Sequence, residues 1–114
     1  MTKELAWLRV IQAAHKVTGC DVMELPSGRS PKHVSFVRGM VYHILDKYYD
    51  LTRQQTAELA GTDHGTVSYH ILLHDKRYKK EHYYFSMYDK IVSQLFGTGQ
   101  RERYNMIDEL INKI

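Results

Sequence analysis

Both prolines of this chain, Pro26 and Pro31, fall within one short stretch, where they flank Ser27-Gly28-Arg29-Ser30. Proline lacks a backbone N–H and interrupts helix interiors and central strands alike. That stretch therefore reads as a loop, and the rest of the chain is free to form long unbroken elements. The rest is rich in helix formers, short of β-branched runs, and repeats its apolar residues at steps of three and four. The expected fold is all-α: an orthogonal bundle of about six helices.

The periodicity places these helices along the chain. Residues 3–17 form a first helix, with Leu5, Leu8, Val10 and Ile11 near one face, Trp7 beside them and Gly19 as its stop. A single turn over Asp21–Leu25 precedes the loop. From Pro31 a long helix carries Val34, Val37, Val41, Ile44, Leu45 and Tyr48 on one stripe, which must be buried. Thr52 followed by Gln55 is a capping-box pattern for a short helix over Arg53–Ala60, ended by Gly61. Thr62 or Asp63 can cap the next helix, which runs to about Lys80. Helices over His82–Phe96 and Arg101–Lys113 follow, separated by Gly97-Thr98-Gly99.

With 114 residues, residues 1–114 make one domain, of which 81–114 are a helical extension. An apolar fraction of 43% suits a globular chain, and a net charge of +3 is compatible with a phosphate-bearing partner. The lone cysteine, Cys20, has no partner for an internal disulfide and reads as a small hydrophobe, so a cytoplasmic setting is expected. No stretch approaches the roughly 18 apolar residues of a membrane span, and no signal peptide is visible.

Function is concentrated in Arg53–Leu72. Ala57 is small enough to let a second helix approach the first, Gly61 can adopt positive φ in a tight turn, and Val67 fills the space between the helices. This is the spacing of a helix-turn-helix. In such a unit the second helix enters the major groove and its leading residues meet base edges. Here those are Thr62, Asp63, His64, Gly65 and Thr66, with Ser68 and Tyr69 on the next turn. Asp63 can accept from a cytosine amino group, His64 can touch a thymine methyl, Thr66 can bond a phosphate, and Gly65 leaves room for close approach. The other reading of the same residues is that Asp63 only caps the helix and His64 is simply exposed. The basic loop, with Arg29 and Lys32, suits a narrow minor groove. It is also compatible with an ordinary solvated connection.

A basic loop, a long helix and Gly61-Thr62-Asp63-His64-Gly65-Thr66-Val67 together resemble the C-terminal DNA-binding domain of the bacterial replication initiator DnaA, whose signature is close to Gly-Arg-Asp-His-Thr-Thr-Val. The resemblance covers about residues 5–80. It implies a fold of the Trp-repressor-like helix-turn-helix superfamily and sequence-preferring binding to double-stranded DNA. Asp63, His64 and Thr66 would meet the major groove, Arg29 and Lys32 the minor groove, and Arg38 the backbone. The chain departs from the family in four ways, one being that the first motif helix opens with Arg53-Gln54-Gln55 in place of the usual apolar-proline start. Thr62 stands where the signature has arginine, Gly65 replaces its first threonine, and no Gly-x-x-x-x-Gly-Lys-Ser/Thr ATP-binding motif is present. The implied role is a stand-alone DNA-binding module in replication initiation or its regulation, with transcription regulation and mobile-element biology as alternatives.

Two other function classes compete with this one. A protein-interaction module that lost DNA binding would expose an apolar patch on the second motif helix. A nuclease would need clustered carboxylates, whereas the acidic residues here are scattered among lysines and arginines, so no enzyme is expected. His70 and His74 share a face at a spacing that can hold zinc, but no third ligand accompanies them. They read instead as partly protonated residues flanking the DNA surface, and neither metal nor cofactor is expected. Lys76, Arg77, Lys79 and Lys80 complement the helix C-terminus or meet phosphates. The aromatic run Tyr78, Tyr83, Tyr84, Phe85 and Tyr88 reads as core and docking platform, and residues 81–114 as a cap or a homodimer contact.

Overall fold

The computed structural model describes residues 2–20 and 32–97, and among them the chain is helical throughout, with five helices and no strand. They are α1 (Lys3–Thr18), α2 (Lys32–Tyr49), α3 (Arg53–Ala60), α4 (His64–Lys80) and α5 (His82–Phe96). The expected turn over Asp21–Leu25 and the expected helix over Arg101–Lys113 lie outside the described residues. None of the described helices is long and apolar enough to cross a membrane.

Local chemistry sets the helix ends. The Thr2 hydroxyl accepts from the Leu5 N–H at the start of α1, and Gly19 closes that helix at φ 73°. At α3 the Thr52 hydroxyl accepts from the Gln55 N–H while the Gln55 side chain accepts from the Thr52 N–H, so the reciprocal cap is formed. Glu81 alone joins α4 to α5, ending one helix and opening the next.

The stripe expected on α2 is much wider than six residues imply. Phe36, Met40 and Tyr42 are buried along with Val34, Val37, Val41, Ile44 and Leu45. Helix α2 touches each of the other four helices, so nearly its whole circumference is core. Helix α1 packs on α2 and α5, and α3 packs chiefly on α4.

The face of α1 differs from expectation. Trp7, Val10, Ile11 and Ala14 are buried, joined by Ala6 and Ala13, whereas Leu5 and Leu8 are about half exposed. Trp7, Val10 and Ala14 follow steps of three and four, and Leu5 and Leu8 lie across the helix from them. The large indole together with the alanines, which admit close neighbours, sets the orientation in place of the leucines.

Where α2, α4 and α5 meet, the core is polar. His43 stacks on His74 with ring centroids 3.4 Å apart. Burial keeps the phenols of Tyr84 and Tyr88 protonated. A hydrogen bond of 2.8 Å joins the Tyr84 hydroxyl to His74 Nδ1, and another of 2.8 Å joins the Tyr88 hydroxyl to His43 Nδ1. Tyr78 donates to Asp89 at 2.9 Å beside them. His70 and His74 thus belong to the core and not to a DNA-facing surface, at 8% and 5% exposure. Burial is the first cause that pushes His74 down to about 3, helped by His43 and Lys47. Burial and then Arg77 and Arg38 push His70 to about 4. His43 reaches about 4 through burial and Lys47, against the opposing pull of Asp46 and Asp75. The expectation of partial protonation fails because placement in the core makes the charged form costly.

These depressed values make the fold sensitive to acid. The unfolded chain takes up protons on these histidines near their ordinary value of 6.5, before the folded chain does. Stability is therefore flat with respect to them above 6.5 and falls as pH drops from 6.5 toward about 4. Thermal melts across that window should show the decline. Replacing both His43 and His74 with phenylalanine should lower stability at neutral pH and make the decline shallower. An unchanged slope in the double variant would contradict the account.

Candidate nucleic-acid interface

The α3–α4 corner is built by residues whose roles can be read one by one. Ala57 is buried on α3 and Val67 is fully buried on α4, and these two helices pack against each other. Gly61 leaves α3 at φ 68°, in the left-handed region. Its N–H reaches back to the carbonyls of Ala57 and Glu58, and the Thr62 N–H donates to Ala57 O at 3.0 Å. A residue with a Cβ is strained at that φ, which is why glycine occupies the turn.

Asp63, not Thr62, caps α4: its carboxylate accepts from the Thr66 N–H at 2.7 Å. Hydrogen bonds from the Thr66 backbone and side chain, the largest causes, hold its acidity stronger than usual. One carboxylate oxygen is committed to the cap. A Cβ added at Gly65 would sit 3.2 Å from that oxygen, so glycine there keeps the cap uncrowded.

The leading end of α4 is open. Asp63, His64 and Gly65 are exposed, and Thr62 and Thr66 are half-buried. Tyr69 is 59% exposed and Leu72 is 73% exposed. Ser68 is half-exposed, but its Oγ is buried with no hydrogen-bond partner among the described residues, so its hydroxyl is turned away from the outer surface. The Ser68 hydroxyl, expected to meet the groove, faces the protein interior instead. Lys32 opens α2, and Arg29 lies outside the described residues.

Arg38 is half-exposed on α2, near enough to Tyr42 and His70 for its charge to bear on both. It stands beside the middle of α4. The first turn of α2 is likewise tied to the far half of α4. Arg77 donates to the Ser35 carbonyl at 3.3 Å and to Ser35 Oγ at 3.1 Å, lies over the Phe36 ring at 5.0 Å, and approaches His70 Nδ1 at 3.5 Å. Gly39 makes room for it, since a Cβ there would lie 3.1 Å from the guanidinium. Arg77 thus leaves the group expected to meet phosphate, while Lys76, Lys79 and Lys80 remain exposed. Sequence reasoning missed this clamp because it depends on α2 crossing α4, which no local spacing reports.

Known protein families, characterised proteins and solved structures offer no match to this chain. The site is thus defined by its own geometry. An exposed helix start leads into a face that reads Gly65, Tyr69, Leu72, Lys76 and Lys79, with Lys80 at its margin. These positions follow helical steps of four and three on the side opposite Val67, His70 and His74. Among the described residues no three His, Cys, Asp or Glu side chains gather where they could hold a metal ion.

The corner predicts a graded response at one position. Gly61→Ala should cost about 1–2 kcal/mol, the ordinary cost of placing a Cβ in the left-handed region, and Gly61→Asn less. Urea unfolding with an unchanged slope is the measurement. Equal stability of the alanine variant and the parent would show that the turn relaxes to another conformation.

Proposed function

We propose that this protein binds double-stranded DNA, inserting the leading half of α4 into the major groove through a helix-turn-helix formed by α3, the Gly61–Asp63 turn and α4. The supporting observation is that the end of α4 nearest the turn is exposed while Val67, His70 and His74 anchor its opposite side. His64, Gly65 and Thr66 then reach base edges or phosphates. Lys76, Lys79 and Lys80 supply charge for the flanking backbone. The DnaA-like signature adds the proposal of a stand-alone module acting in replication initiation or its regulation, in transcription or in mobile-element biology. Arg29, Lys32 and Arg38 belong to the same proposal as minor-groove and backbone contacts.

Tyr69 and Leu72 favour a second reading, in which the same face docks another protein. The two readings differ in their response to salt. DNA binding requires affinity that falls steeply with ionic strength as counterions are released. Changing Lys76, Lys79 and Lys80 to glutamine should make the plot of log affinity against log salt shallower by roughly 0.9 for each lysine that meets a phosphate. His64→Ala should cost roughly 1–3 kcal/mol on the preferred sequence and less on random duplex. Absence of duplex binding at low salt would eliminate the DNA reading and leave the protein-docking one.

A further inference from the structure

The groove-facing stripe of α4 lacks the side chains that most often read bases. From Thr62 to Leu72 there is no arginine, lysine, asparagine or glutamine. The bidentate contacts to guanine and adenine that those residues make are thus unavailable on this half of the helix. Asp63 has an oxygen committed to the Thr66 N–H, and the Ser68 hydroxyl is buried. The middle of the stripe is instead Tyr69 and Leu72, the two most exposed large apolar residues among those described.

In the major groove the apolar group on a base edge is the C5-methyl of a pyrimidine, carried by thymine and by 5-methylcytosine alike. We infer that Tyr69 and Leu72 form an apolar reader of pyrimidine C5-methyl groups, so that α4 recognises methyl pattern in place of a guanine or adenine edge. This rests on the DNA reading above. Charge complementarity makes duplex DNA the occupant. The same stripe continues into exposed Lys76 and Lys79 with Lys80 beside them, and lysine is depleted at the centres of protein interfaces but matches phosphates flanking a groove. Gly65, one turn before Tyr69, carries no side chain to hold the helix off the base edges. Leu72 is largely solvated in the free protein, so moving it against a methyl group removes apolar surface from water on both sides.

The test uses the full chain and duplexes selected by it from a randomised pool. The selected duplex is compared with its copy in which uracil replaces thymine, which removes the methyl and keeps base pairing. A parallel pair carries cytosine or 5-methylcytosine. Wild-type affinity should fall about fourfold for each contacted methyl that is lost. Leu72→Ser and Tyr69→Ser, both at exposed positions, should bind more weakly and respond less to the thymine-to-uracil change. A response confined to 5-methylcytosine would still support methyl reading and would name the modified base as its source. Salt-dependent binding that is equal on all four duplexes, or binding with no sequence enriched from the pool, would overturn the inference while leaving the DNA reading intact. No binding to any duplex, with the protein folded by circular dichroism, would overturn both.

Discussion

Burying α2 on almost every side is the constraint that organises this molecule. A helix whose apolar residues cover most of its circumference has to be wrapped, and α1, α3, α4 and α5 each supply part of the wrapping. Its polar residues must then be satisfied from outside the helix. His43 is hydrogen-bonded to a hydroxyl of α5 and stacks on a ring of α4, and the Ser35 carbonyl accepts from the Arg77 guanidinium. The stacked ring and the guanidinium hold α4 by its inner side. The outer side of α4 is left as surface because the inner side is fully engaged.

The parts of this architecture that depend on near neighbours were legible in the amino-acid order. The bounds of α3, α4 and α5 follow from Thr52, Gly61, Asp63 and Gly97, whose chemistry acts within one turn. Ala57 and Val67 were placed correctly because a small residue and an aliphatic flanking a glycine turn can meet in few ways. What depends on distant packing was not legible. Leu5 and Leu8 gave the stronger apolar signal in α1, yet Trp7 and the alanines face the core. The histidines were misplaced for a related reason. The pattern of α4 says which residues share a side, not that His43 and two tyrosines wait opposite to make that side habitable for an imidazole.

The clearest contrast with the DnaA-like signature lies in how the exposed helix spends its side chains. The Asp63 cap and Thr66 occupy their signature places, and the cap is formed. Beyond them the helix becomes apolar where a reader of guanine would be basic, and its arginine is turned inward. Under the proposal of DNA binding, the lysine-bearing end of α4 would hold the backbone, and the leading half would offer few groups for bidentate base contacts. Its recognition would then be shaped by methyl groups and by groove width more than by amide or guanidinium forks.

The junction at Glu81 has a mechanical consequence. Because a single residue serves as the end of α4 and the beginning of α5, there is no spare backbone to absorb relative movement between them. Tyr84 and Tyr88 then lock the start of α5 to rings on α4 and α2. Helix α5, which also lies against α1, thereby ties α4 to the first helix of the chain.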